Sequence, residues 1–86
     1  MYEILRKVKL AENIYLMDIH APRVAASAHP GQFIILRSTP EGERIPLTIS
    51  DYDVERGSVQ IVVQTLGVST LKLAEKEEGD SVEDFA

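Results

Sequence analysis

The chain has 86 residues, of which 44% are hydrophobic, with a formal net charge of −5. This size fits one small domain with a single core, and the scattered Lys and Arg residues argue against a broad nucleic-acid-binding surface. Because there is no cysteine and only two histidines, the sequence excludes disulfides and thiolate nucleophiles and predicts no metal site within these residues.

The N-terminal part predicts a pair of strands. Alternating apolar residues predict a first strand from Tyr2 to Leu10, and a denser apolar run predicts a second from Ile14 to His20, with a turn at residues 11–13. No apolar run approaches the roughly 20 residues that cross a bilayer, and the first residues lack a secretory pattern. We therefore expect a cytoplasmic protein that does not contact membranes.

The middle of the chain predicts two further strands separated by loops. Residues 23–29 are compatible with a short helical turn, and a third strand is expected from Gln32 to Arg37. Residues 38–43 predict a surface turn because they contain a proline and a glycine. A fourth strand is expected from Arg44 to Ile49, and the charged segment 50–57 predicts the loop of a hairpin.

The C-terminal part predicts one strand, one short helix and the start of another strand. The fifth strand is expected from Ser58 to Thr65, and a helix from Leu71 to Glu77. Ser69 or Thr70 is expected to cap this helix. The side chains expected to face the core are those of Leu71, Leu73 and Ala74. Residues 81–85 predict a sixth strand, and the whole pattern predicts a small antiparallel β-barrel, for which SH3-like and OB-like barrels fit equally well.

Pairing of the fourth and fifth strands predicts an anion site. If Ile49 lies opposite Ser58, Arg44 lies beside Val63, and the chain reaches Gly67 four residues later. A helix start offers unpaired N–H groups, glycine permits close approach of a ligand, and arginine adds a permanently charged donor. Together these features predict a phosphate or pyrophosphate site.

The strand before this site predicts the rest of a long ligand. Pro46 and Thr48 share a strand face with Arg44, so a ligand with a diphosphate and an aromatic head would extend from Arg44 past Pro46 to the Thr48 hydroxyl group. The structural alternative is that Arg44 is a solvated strand end, Gly67 belongs to an ordinary helix cap and Pro46 only marks an edge strand.

Four motifs resemble the flavin-binding barrel of ferredoxin-NADP reductase-like proteins. They are PGQF (Pro30–Phe33), RIPLTI (Arg44–Ile49), VQIVVQ (residues 59–64) and GVST (Gly67–Thr70). Their order and approximate spacing are similar to those of two groups in particular. One is the small subunit of NADH-dependent ferredoxin:NADP oxidoreductase, an enzyme also called sulfide dehydrogenase, and the other is the dihydroorotate dehydrogenase electron-transfer subunit. The resemblance covers essentially the whole chain.

The resemblance implies a six-stranded antiparallel Greek-key barrel, all-β with one short helix, that binds FAD. It implies that Thr48 lies near the reactive flavin nitrogen and tunes the flavin. The residues matched to ring contacts are Pro46, Leu47 and Thr48, and those matched to ribityl and ring contacts are Val62, Val63 and Gln64. The residues matched to the pyrophosphate are Gly67, Val68, Ser69 and Thr70, with Arg44 beside them.

Two departures from the family pattern affect these expectations. The widespread motif is Arg-x-aromatic-Ser, and aligning its serine with Thr48 puts Ile45 at the arginine position and Leu47 at the aromatic position. The family also continues with a nicotinamide-binding domain, which in this group carries cysteines for a 2Fe-2S cluster. We therefore expect residues 1–86 to be the FAD-binding domain of a longer protein, inactive without the missing half.

The leading hypothesis is the FAD-binding domain of a flavin-dependent oxidoreductase that passes electrons between NAD(P)H and an iron–sulfur partner such as ferredoxin. Its implied partners are the NAD(P)H-binding domain of the same parent protein and a larger iron–sulfur flavoprotein subunit. The alternative is a non-catalytic β-barrel module that mediates subunit contacts.

Overall fold

A computed structural model describes residues 2–29 and 31–86, so Pro30 of the PGQF motif lies outside the described residues. The described chain forms seven strands and two short helices. In chain order they are β1 (Tyr2–Ala11), β2 (Ile14–His20), α1 (Pro22–Ser27), β3 (Phe33–Arg37), β4 (Ile45–Asp53), β5 (Ser58–Gln64), α2 (Val68–Ala74), β6 (Ser81–Val82) and β7 (Asp84–Phe85).

The strands form one antiparallel sheet that closes into a barrel. Their spatial order is β6-β1-β2-β5-β4-β3-β7, so β6 and β7, which are neighbours in sequence, lie at opposite edges of the sheet. Val82 pairs with Tyr2 on β1, and Phe85 pairs with Leu36 on β3. The predicted antiparallel Greek-key barrel is confirmed, with its last strand divided at Glu83 into two short pieces that join the two edges.

Alternate residues of β2 and β5 contribute the centre of the core. Met17 and Ile19 on β2 are fully buried, as are Val59, Ile61 and Val63 on β5, because side chains at alternate positions of a strand point to the same face. These alternate side chains fill the barrel interior. The residues between them are covered to different degrees, because Asp18 is buried, Gln60 is half-buried and Val62 is exposed. The other large, fully buried side chains are Ile4, Ile34, Leu36, Ile49, Leu73, Val82 and Phe85.

The β4–β5 hairpin is longer than the sequence predicted. Strand β4 extends to Asp53, so only residues 54–57 form the turn, and Asp53 rather than Ile49 lies opposite Ser58. Ile49 instead pairs with Ile61. The predicted register is wrong because the residues after Ile49 have the composition of a loop but occupy exposed or half-buried positions at the end of a strand.

Helix α2 begins and ends three residues before the predicted helix. Its N-cap is Gly67, not Ser69 or Thr70. Leu73 and Ala74 are buried as expected, but Leu71 is 52% exposed. The helical turn considered for residues 23–29 is helix α1, which begins with a proline, a residue well suited to the first helical position. Neither helix in the described residues is long and apolar enough to cross a membrane.

Candidate functional site

Strand β4 has different neighbours along its two halves. Its second half pairs with β5 from Ile49 to Asp53, whereas its first half pairs with β3 from Ile45 to Thr48. Within the described residues, the ladder between β4 and β5 stops at Ile49. The segment Ile45–Thr48 is therefore an edge towards β5, where the missing N–H of Pro46 is tolerated.

The outer face of this edge carries the residues predicted from strand alternation. Ile45 and Ile49 are buried, whereas Pro46 and Thr48 are exposed, and the Arg44 side chain is 67% exposed. Leu47 is half-buried and packs against the core. The prediction that Arg44, Pro46 and Thr48 share an exposed face agrees with this alternation.

Arg44 and the start of α2 line a single depression of about 310 Å³. Its lining residues are Glu43, Arg44, Ile45, Pro46 and residues 66–70. The proximity of Arg44 to Gly67 was predicted from a register that is wrong by about three residues. The two residues are nevertheless neighbours, because both line this depression.

Thr70 stabilises, through hydrogen bonds, the loop that forms one wall of this depression. Its hydroxyl oxygen accepts hydrogen bonds from the backbone N–H groups of Leu66 (2.9 Å) and Gly67 (3.0 Å), and the hydroxyl group donates to the Gly67 carbonyl oxygen (3.0 Å). The hydroxyl group of Thr70 is therefore used within the loop. The backbone at Gly67 is extended, with φ −164°, and a Cβ atom added there meets nothing within 4 Å.

The two charged side chains that line the depression, Glu43 and Arg44, each have a partner. The Ser69 hydroxyl group donates to the Glu43 carboxylate at 2.5 Å. Arg44 lies 3.8 Å from the Asp84 carboxylate, which makes its shorter contact, at 2.7 Å, with Arg37. The guanidinium group of Arg44 is thus weakly held and largely solvated, which leaves its donors available to an anionic ligand.

The three site residues predicted on β5 differ in whether their side chains reach the surface. Val62 is 37% exposed and Gln64 is exposed, so both side chains lie on the outer surface. Val63 is fully buried in the core, and its side chain does not reach that surface. The period-two alternation of the strand already distinguishes Val63 from its neighbours. On α2, Val68 is 71% exposed at the mouth of the depression.

Two residues at this site were not among the predicted site residues. Glu43 contacts Ser69 across the depression, and only the three-dimensional fold brings together residues that are 26 positions apart. Phe33 lies directly opposite Thr48 on β3 and is 64% exposed. Its position within the PGQF motif and its alternation with the buried Ile34 were the available signals. In the described part of the chain, no three His, Asp or Glu side chains come together as a metal site.

Three curated proteins are similar to this chain over nearly its whole length, whereas no family model matches it. An uncharacterized protein in the adh 3' region of Clostridium beijerinckii is 60% identical over 99% of this chain. The dihydroorotate dehydrogenase B (NAD(+)) electron transfer subunit homolog of Thermotoga maritima is 45% identical over 95%. The dihydroorotate dehydrogenase B (NAD(+)) electron transfer subunit of Desulforamulus reducens is 29% identical over 93%.

Two solved structures have the same architecture. A structure of NADH-dependent reduced ferredoxin-NADP oxidoreductase superposes over 100% of this chain with a TM-score of 0.96 and 43% identity. Phthalate dioxygenase reductase superposes over 94% with a TM-score of 0.69 and 22% identity, a likeness that concerns the fold alone. The chain has the ferredoxin reductase-like barrel fold. The resemblance inferred from the four motifs is thereby confirmed.

This barrel corresponds to a part of each of these proteins. It spans 29%, 29% and 32% of the three curated relatives and 31% and 27% of the two solved chains. The relatives that carry functional names are electron-transfer subunits, and the solved structures belong to oxidoreductases that transfer electrons. The similarity therefore relates the barrel to flavin-dependent electron-transfer proteins as one domain-sized segment.

Proposed function

We propose that this barrel binds FAD and serves as the flavin-binding domain of an oxidoreductase that passes electrons between NAD(P)H and an iron–sulfur partner such as ferredoxin. The observation that carries the proposal is one continuous surface. It extends from the exposed face of Thr48 and Pro46 along the β4 edge to the depression between Arg44 and the Gly67 loop. The exposed face of Pro46 and Thr48 suits the flavin ring, and the cationic depression suits the diphosphate that links the flavin half of FAD to its adenosine half.

The donor set in the depression suits a diphosphate. Arg44 supplies a forked, permanently charged donor, and the Ser69 hydroxyl group is a second donor once it exchanges Glu43 for phosphate oxygen. In this proposal Thr70 acts indirectly, because its hydroxyl group holds the loop in shape.

The edge of β4 suits the flavin ring. Pro46 and Thr48 present an apolar ring and a hydroxyl group on the same exposed face, and Val62 and Gln64 are exposed on the adjacent part of β5. A bound flavin supplies electron-transfer chemistry that no side chain of this sequence has. The barrel residues would bind and orient it, and the Thr48 hydroxyl group would tune it through a hydrogen bond to the ring.

The remaining parts of the proposed reaction lie outside these 86 residues. The names of the similar proteins support this reaction. One is a dihydroorotate dehydrogenase electron transfer subunit homolog, one is a ferredoxin-NADP oxidoreductase, and one is a reductase that transfers electrons from pyridine nucleotides to [2Fe-2S]. We propose a nicotinamide-binding domain with a 2Fe-2S cluster in the same parent protein, and a larger iron–sulfur flavoprotein subunit as partner. Without the nicotinamide domain to orient the hydride donor, the barrel alone should not turn over. The cytoplasmic location stays a prediction.

Titration of the purified chain with FAD tests this function. We expect a bound oxidised-flavin absorption spectrum and a rise in thermal stability that grows with FAD concentration. FMN, which lacks the diphosphate, should bind more weakly than FAD. If FAD produces neither signal, the flavin proposal is wrong for these residues and the alternative of a non-catalytic subunit-contact module gains support.

A pair of arginine variants provides a matched control. Arg44→Gln should weaken FAD binding because it removes the charge in the depression. Arg56→Gln removes the same charge from the β4–β5 turn, outside the depression, and should leave affinity unchanged. Equal affinities for the two variants would contradict the assignment of Arg44.

A further inference from the structure

The five aromatic side chains of the chain differ sharply in how the fold uses them. Phe85 is 1% exposed and its ring centroid lies 6.0 Å from that of Tyr2. Tyr52 packs against the core, and the ring of Tyr15 lies 5.1 Å beneath a lysine ammonium group. Phe33, in contrast, is 64% exposed. Four rings therefore have partners within the fold, and the ring of Phe33 is left largely on the surface.

The exposed ring lies beside the proposed flavin site. Phe33 pairs directly with Thr48 across the β3–β4 ladder, and the next pair on the same face is Ile35 with Pro46. Directly opposed residues of antiparallel strands project to the same side, with Cβ atoms about 4.5–5.5 Å apart. Phe33, Ile35, Pro46 and Thr48 consequently form one patch on the outer face, next to the edge where β4 leaves β5.

We propose that Phe33 is a flavin-binding residue that contacts the isoalloxazine ring, an inference that rests on the proposed function. Aromatic rings bind one another in offset or edge-to-face arrangements, which give both contact area and orientation. Leu47, which aligns with the aromatic position of the family motif, does not supply this ring contact because its side chain packs towards the core. The ring of Phe33 orients the flavin over Thr48, whereas Arg44 and the Gly67 loop hold the diphosphate.

Two variants of Phe33 test this inference in the 86-residue chain. Phe33→Ala should lower the affinity for FAD about three- to tenfold, in line with the loss of one aromatic contact. Its affinity for ADP, which contains the diphosphate and adenosine but no flavin ring, should stay that of the parent chain. Because the side chain is largely exposed, the variant should keep its circular dichroism spectrum and remain folded.

The second variant reports contact rather than affinity. Phe33→Trp should strongly quench the fluorescence of bound flavin, since tryptophan in contact with an excited flavin transfers an electron to it. The control is Val54→Trp, which puts the same side chain at a 58% exposed position in the β4–β5 turn, at the opposite end of β4 from Pro46. This control should not quench.

The outcomes separate the two proposals. If the parent chain does not bind FAD, the proposed function and this inference both fall. If the parent chain binds FAD but Phe33→Ala keeps full affinity and Phe33→Trp quenches no more than the Val54 control, the role of Phe33 is overturned and the flavin function stands. A fall in ADP affinity for Phe33→Ala would also overturn the inference, because it would indicate a general structural effect.

Discussion

Gly67 is the position where one added side chain should separate ligand binding from folding. Its backbone is extended, with φ −164°, a conformation that any residue adopts. A Cβ atom built there meets nothing within 4 Å, so Gly67→Val causes no clash in the ligand-free chain. The same valine would project from a wall of the depression that we assign to the diphosphate.

The two effects of Gly67→Val should differ in size. Replacing a glycine N-cap by an apolar residue costs at most about 1 kcal/mol, and for a domain of this size that lowers Tm by roughly 4–8 °C. The parent chain with FAD at about 100 times its Kd should gain about 2.7 kcal/mol, which corresponds to roughly 11–22 °C. The valine should remove most of this gain.

Thermal unfolding followed by circular dichroism, with and without FAD, measures both quantities in one experiment. Gly67→Ala provides a graded comparison, because its methyl group intrudes less, and should retain part of the FAD-dependent shift. Calorimetric titration with ADP should show the same ranking of variants. A Gly67→Val chain that keeps the full FAD-dependent shift would refute the diphosphate assignment of this depression.

Three further changes test other parts of the structure. Thr48→Ala should shift the flavin midpoint potential more than the FAD affinity, and an unaltered potential in a spectroelectrochemical titration would count against its contact with the ring. Glu43→Gln should tighten FAD binding about two- to fivefold at low salt, because a negative charge beside the diphosphate is removed while an acceptor for Ser69 is kept; unchanged affinity by calorimetry would argue against this repulsion. Phe85→Ala should lower the free energy of unfolding by about 3–5 kcal/mol, which is a large part of the roughly 4–13 kcal/mol expected for 86 residues. A small shift in the urea midpoint would contradict the role of β7 in closing the barrel.

The strands and their order along the chain could be predicted because each is an apolar or alternating run bounded by turn residues. The dense apolar run predicts Ile14–His20, and the alternation of Val and Ile predicts the strand beginning at Ser58, each to within a residue of the observed bounds. The end of β4 could not be predicted in the same way. Residues 50–53 are polar or half-buried, so composition alone does not distinguish a hairpin end from a loop.

Part of the candidate site, the proximity of Arg44 and Gly67, could also be predicted from the sequence. The proximity of Arg44 and Gly67 survives an error in register, because it depends mainly on the hairpin that connects them. The role of Thr70 does not follow from sequence. Its type suggested a cap before the helix, but its hydroxyl group accepts the Gly67 N–H from within the first turn. The contact of Glu43 with Ser69 depends on tertiary packing and likewise does not follow from the sequence, whereas the exposure of Phe33 could have been inferred from its alternation with Ile34.

Pro46 links the fold to the proposed site. A proline in a strand that was paired on both sides would remove a hydrogen bond, and an apolar exposed ring would add nothing to the core. Both features fit a strand segment that has a partner on one side only, and the β4–β5 ladder ends at Ile49, three residues after Pro46. The separation of the two strands leaves an open edge beside Thr48 and leads to the depression at Arg44. The residues that fit a regular sheet least well therefore mark where the two strands separate, which is the place that we propose for the flavin.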